Sequence, residues 1–387
     1  MYRRFLFFIA VVTLIFPFAF SPESLTAPAI AEPPAKLASR KHRGVTVSTR
    51  KLAKFEPSRR CLVFAGQSLS AIGGLDDFND GYLDHFPKPA GFTMYTNLRP
   101  GDQSFGHEYD GNDGLVKTDD WGDGPNNMSL QIADEDFNNL ALAIGLELVN
   151  HEVACAKGER DAQIKFLGKW IKSLGDRPVF LRIGYEFDGH PWNHYDREGF
   201  IASFKRIRKM FEEMEIDNVA YVWQSCGFMS NMEQLEQWYP GDEFVDWCGY
   251  SHFGSWRQSK MIEFARKKNK PVFIAEAAPV INVPGKTDGT TYPMLLSNPK
   301  QAKQAWEEWF VPFFETIDSN RDVVKAISYI NHDWHNYPMW KNNPTFKGID
   351  SRMQLNQDIA KNWNAKMQNI QFLNYSDNLS QILNDNE

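Results

Sequence analysis

Short apolar runs alternate with amphipathic helical stretches from Cys61 to Met367, and this alternation constrains the fold more than any other feature of the chain. Cys61–Gly66, Gly91–Tyr95, Val179–Ile183, Val219–Trp223, Val245–Gly249, the run Lys270-Pro-Val-Phe-Ile-Ala-Glu276 and Val324–Ile330 have the length and the β-branched or aromatic content of buried strands. Leu140–Val149 and Met128–Ile132 compete for the third place in that order. Between the runs, sets such as Ile164, Leu167, Trp170, Ile171 and Leu174, or Phe200, Phe204, Ile207 and Phe211, recur at helical spacing. Strands and helices in strict alternation require a parallel sheet. Eight strands fit a closed α/β barrel, the (β/α)8 TIM barrel, better than an open doubly wound sheet. No glycine-rich phosphate loop follows the first strand, which argues against a dinucleotide fold.

Two of the strands close on a glutamate. Pro178-Val-Phe-Leu-Arg-Ile-Gly-Tyr-Glu186 ends the fourth, and the run to Glu276 ends the seventh. In such a barrel the chemistry sits at the C-terminal strand ends, so the two carboxylates are expected to face each other across the mouth. A protonated carboxyl beside an ionised one can hydrolyse an acetal without a cofactor. Arg182 shares the inward face of the Glu186 strand, where a buried cation needs a partner; keeping Glu276 ionised is the task expected of it.

Arg182-Ile-Gly-Tyr-Glu186-Phe-Asp-Gly189 resembles the strand-four motif of family 26 glycoside hydrolases, the β-mannanase family of the retaining (β/α)8 clan A. Trp238-Tyr-Pro-Gly241, Val245-Asp-Trp-Cys-Gly249, Ala275-Glu276, Phe64-Ala-Gly-Gln67 and Asp350-Ser-Arg-Met353 are similar to further segments of that family, in order. The resemblance implies a retaining, endo-acting glycosidase acting on a mannan-like or related polysaccharide or oligosaccharide, with Glu186 as acid/base and Glu276 as nucleophile. Two positions depart from the family: Tyr185 stands where histidine is usual, and Phe253 where a tyrosine bonds the nucleophile, with Tyr250 and His252 close by. Trp192, Trp223, Trp256 and Trp334 lie near strand ends and are candidate platforms for sugar rings, with Trp223 and Trp334 the closer to their strands and loop-core anchoring the other reading of Trp192 and Trp256. Two other readings are a sugar-binding pseudoenzyme on the same barrel and a metallohydrolase using His190, His194 and His332-Asp-Trp-His335. The second lacks a ligand on strand one, and Pro191 keeps His190 and His194 off one helical face. No metal and no cofactor are expected.

A net charge of −7 gives no reason to expect nucleic acid as a partner. Residues 1–31 read as a signal peptide cleaved after Ser21 or Ala31, with an uncleaved signal anchor as the alternative and the only route to a membrane. The expectation is therefore an exported monomer (extracellular, periplasmic or cell-envelope), with a linker over 32–57, a catalytic barrel over 58–370 and a tail over 371–387. Among Cys61, Cys155, Cys226 and Cys248, the pair Cys226–Cys248 is the first disulfide to test, against buried free thiols. The Asp/Gly-rich stretch between Asn97 and Asn127 reads as a long solvated loop. It bears a faint likeness to a calcium loop but fails the EF-hand pattern.

Overall fold

The computed structural model describes residues 51–387 except 230, 255–257, 287–288 and 386–387. The signal segment, most of the expected linker and Trp256 lie outside the described residues. Eight parallel strands form the barrel: β1 (Cys61–Gly66), β2 (Gly91–Asn97), β3 (Ala141–Glu147), β4 (Val179–Ile183), β5 (Val219–Ser225), β6 (Trp247–His252), β7 (Val272–Ala277) and β8 (Val324–Ile330). Each pairs with the next, and β8 pairs back onto β1 with Ile327 opposite Val63, which closes the sheet. The long helices between and after the strands are α1 (Asp161–Ser173), α2 (Arg197–Glu213), α3 (Met232–Trp238), α4 (Gln258–Lys268), α5 (Pro299–Ala305), α6 (Val311–Ser319) and α7 (Gln357–Met367). A π turn at Trp306–Phe310 joins α5 to α6. The third strand is Ala141–Glu147; its competitor Met128–Ala133 is a short helix, because the Asn127 side chain caps it by accepting from the Leu130 N–H.

Side chains alternate between two cores, as strand geometry dictates. Phe64, Ala143, Phe180, Val222, Trp247 and Phe273 fill the barrel interior. Leu142, Leu181, Tyr221, Cys248, Ile274 and Ile327 face the helices and join Phe204, Ile207, Phe264 and Trp363 in the larger outer core. Each fully buried aliphatic or phenyl side chain contributes roughly 1.5–3 kcal/mol. The outer layer therefore holds the fold, and the upper interior can carry polar groups.

Both expected flanks belong to the folded unit. Phe55, in the expected linker, closes the bottom of the barrel against Phe180 at 5.8 Å. In the expected tail, Phe372–Leu373 adds a short parallel strand beside Cys61–Leu62, and Leu379 and Leu383 join the interior core. Burying these apolar side chains outweighs the freedom of the chain ends. All four cysteines are buried free thiols. The Cys226–Cys248 pair does not form: Cys248 points into the outer core and Cys226 stands past the end of β5 beside Asp188. Among the described residues no helix is long and apolar enough to cross a membrane.

Candidate active site

Two backbone irregularities deliver the two glutamates. On β7, Ile274 lies opposite Tyr250 and Glu276 opposite Ser251, so β7 carries one residue more than β6 at this point. The count against β8 shows the same excess between Ile274 and Ala277. This is a β-bulge. Phe273 and Ala275 face the interior while Ile274 faces out, so strict alternation would send Glu276 outward. The bulge turns it into the mouth instead. On β4 the regular strand ends at Ile183, and Gly184 and Glu186 take left-handed backbone conformations at φ 55° and 53°. Glycine accepts this freely; glutamate does not, and the position costs on the order of 1 kcal/mol or more. Asn193 fixes the turn, its Nδ2 donating to the carbonyls of Tyr185 and Glu186 at 2.9 Å each. Asp188 ties it to β5, accepting from the Ser225 hydroxyl at 2.7 Å and the Cys226 N–H at 2.6 Å.

Glu276 sits in a cradle of donors. Arg182 Nη1 donates to its Oε1 at 2.6 Å and to Gln224 Oε1 at 2.9 Å. Gln224 Nε2 donates to the same Glu276 oxygen at 3.3 Å and to Ser251 Oγ at 3.0 Å. Arg182 has no exposed surface, and its guanidinium lies against the rings of Tyr95 and Tyr185 at 4.9 and 5.4 Å. Gly145 leaves room for it: a Cβ there would stand 2.5 Å from the Tyr95 ring and 2.8 Å from Arg182 Nη2. Glu186 is in the opposite situation, with no cation paired to it among the described residues. Burial first, and the charge of Glu276 second, push its pKa up to about 8, against the Ser251 hydroxyl and the Trp192 indole, which favour the ionised form. Trp192 Nε1 donates to Glu186 Oε2 at 2.8 Å. One carboxyl is thus held protonated and the other faces a guanidinium, with Ser251 and Gln224 between them. Replacing Arg182 by Met strands the Glu276 charge in a buried site; a loss of about 3–5 kcal/mol in unfolding free energy is expected. Adding Glu276→Gln should restore part of it, and both are checked by urea denaturation.

The sequence-derived site residues divide into two groups. Glu186, Glu276, Arg182, Tyr185 and Trp192 come together at the mouth. Trp192 is 42 % exposed with Phe228 edge-on to it at 5.7 Å, an open aromatic corner beside Glu186. Trp223, Tyr250 and His252 do not join them. Trp223 is fully buried against Tyr239, just past α3, and Phe264 of α4, and is stacked on Phe187 at 4.5 Å. Tyr250 faces the outer core, and His252 packs on Trp309 and Phe313, where burial lowers its pKa to about 4. The reason is register: β6 runs to His252 rather than ending at Gly249, and its inward positions are Trp247, Gly249 and Ser251. Trp334 stacks on Phe346 on the β8 side with Phe253 edge-on to both, and Trp334, 1 % exposed, offers no free ring face.

Sequence reading missed Gln224, Ser251, Tyr95 and Asp123. Gln224 was legible from strand parity. Ser251 was not, because it lies past the Gly249 at which the strand reads as ending, and Asp123 was not, because the loop that carries it reads as solvent-facing. That loop is folded, with Asp113, Asp119 and Asp123 buried. His107, Asp113 and Asp119 converge, but Asp113 already accepts from His107 and from the N–H groups of Asp110 and Gly111, so the cluster serves the turn. Asp333, His335 and Asp350 also converge, and there Arg352 supplies the cation, at 3.2 Å from Asp333 and 2.7 Å from Asp350. His190 and His194 are exposed and joined only through the His190 carbonyl.

Residues 147–341 match the sequence profile of glycosyl hydrolase family 26. A β-1,3-xylanase of an Alcaligenes species is 32 % identical over 339 residues, covering 84 % of this chain and 67 % of the relative. The β-1,3-xylanase TXYA of a Vibrio species is 34 % identical over 340 residues, with 84 % and 68 % covered. Among solved structures, GH26C from a Muricauda species superposes with a TM-score of 0.52 at 12 % identity, covering 83 % of this chain and 89 % of that one, a likeness of fold. A closed barrel with this sequence signature leaves one assignment: the chain belongs to glycosyl hydrolase family 26 and is a glycosidase that hydrolyses β-glycosidic bonds of a polysaccharide.

Proposed function

We propose that the enzyme cleaves β-1,3-linked xylan internally, with net retention of configuration, using Glu186 as acid/base and Glu276 as nucleophile. The observation that carries the mechanism is the asymmetry of two buried acids sharing one hydrogen-bonded cluster: the guanidinium lies on Glu276 alone, and Glu186 keeps its proton. In the first step the Glu186 proton passes to the glycosidic oxygen as Glu276 Oε attacks the anomeric carbon; the C–O bond breaks and a glycosyl ester forms. In the second, the Glu186 carboxylate takes a proton from water, whose oxygen displaces Glu276. The exposed Trp192–Phe228 corner beside Glu186 suits the departing sugar. Xylan rather than mannan is supported by the names of both curated relatives. Such a polymer is met outside the cytoplasm, which agrees with an exported chain.

Digestion of β-1,3-xylan, β-1,4-xylan and β-mannan, followed by mass spectrometry, tests the reading. A ladder of pentose oligomers from β-1,3-xylan is expected. Faster release of hexose oligomers from mannan would overturn the substrate, and intact polymers throughout would overturn the activity.

A further inference from the structure

Opposite the Glu186 side of the mouth, the long loop after β2 brings Asp123 over the ends of β8 and β1. Its Oδ2 accepts from Gln67 Nε2, just past β1, and its Oδ1 from Trp340 Nε1, past β8. The residue is 5 % exposed. His332 Nε2 lies 3.6 Å from Asp123 Oδ1, too far for a hydrogen bond, and has no partner among the described residues although His332 is 1 % exposed. Its ring is held in place by stacking on Tyr337 at 4.5 Å.

A loop latch alone does not account for this group. Burying an ionisable carboxyl is costly, and an orphaned polar atom beside it adds to that cost. Burial, with Asp120 and Glu276 adding like charge, pushes the Asp123 carboxyl up to about 7. What completes the set is a ligand whose groups both donate and accept, donating to a carboxylate and accepting from a ring N–H. A sugar bearing adjacent hydroxyls is such a ligand.

We propose that Asp123, with Gln67 and His332, forms a hydroxyl-recognition site for the sugar on the non-leaving side of the scissile bond. The side follows from the barrel order. Glu186 protonates the leaving oxygen from β4, so the departing sugar extends over that half. The retained sugars then lie over the opposite half, where β8 and β1 meet. The proposal rests on the hydrolytic reading above and adds a specificity determinant to it. Asp123 binds and orients; it takes no part in bond breaking.

The test uses the full chain and β-1,3-xylotetraose. Asp123→Asn keeps the shape and removes the charge, and kcat/KM is expected to fall about 10- to 100-fold, the range of one charge-assisted hydrogen bond. Monodeoxy xylotetraoses supply a readout that a structural role would not move. On the wild-type chain at least one glycone-side analogue should lose a similar factor, and that analogue should lose little more on Asp123→Asn. A variant within threefold of wild type on the parent tetraose overturns the proposal. So does a deoxy series that performs like the parent on wild type, a result available even if the variant fails to fold. If the wild-type chain cleaves another β-glycan and not this tetraose, the xylan reading falls separately, and the same comparison is made with the glycan it cleaves.

Discussion

Glu276→Ala is expected to lower kcat on the polysaccharide by about 10⁴-fold or more. The loss should be as large on aryl glycosides with good leaving groups, since among the described residues no other carboxylate stands where Glu276 meets Arg182 and Gln224. Alanine also leaves the Arg182 charge without its partner, so stability should fall with activity. Glu276→Gln separates the two effects: it is expected to be as inactive and less destabilised. Steady-state kinetics on both substrates, with urea denaturation beside them, checks this. Retention of more than a hundredth of wild-type turnover in either variant would remove Glu276 from the nucleophile's role.

Glu186→Ala should behave differently. On the polysaccharide a loss of about 10²- to 10⁴-fold is expected, the usual contribution of a positioned general acid. On a dinitrophenyl glycoside the first step should be nearly unaffected, because that leaving group departs without a proton. The pH dependence carries the sign. In the proposed mechanism Glu186 works as an acid, and its pKa is raised, chiefly by burial, to about 8. Wild-type kcat/KM on the polysaccharide should therefore hold through neutrality and fall as pH rises through about 8. In Glu186→Ala that alkaline limb should vanish. A raised carboxyl also means the folded state binds the proton more tightly than the unfolded chain. Its contribution to stability is therefore complete below the ordinary glutamate value of 4.5 and is lost as pH climbs toward about 8.

The alternation of apolar runs was enough to read the barrel, because burying strands on both faces leaves little freedom in composition. Glu186 and Glu276 were legible for a related reason: a carboxylate closing an otherwise apolar run has few bland explanations. What parity could not supply was the local departure from parity. The bulge at Ala275 aims Glu276 inward, and no residue type announces it. The end of β6 fell three residues later than the sequence suggested, and that shift moved Tyr250 and His252 to the outer core and put Ser251 in the site. Trp223 failed as a sugar platform on the same alternation rule, which places it outward between the inward Val222 and Gln224. Asp123 was hidden for another reason. A loop rich in Asp and Gly looks solvated until Gln67 and Trp340, from opposite ends of the chain, are seen to hold it over the mouth.

The most direct test of the paired-glutamate account is covalent trapping. A 2-deoxy-2-fluoro xylooligosaccharide with a dinitrophenolate leaving group slows both steps, and the good leaving group lets the first proceed. The account predicts that the intact mass rises by one fluorinated glycosyl unit and that peptide sequencing places that unit on Glu276. A stable label on any other residue, or turnover whose first-formed product has the inverted anomeric configuration, would contradict it.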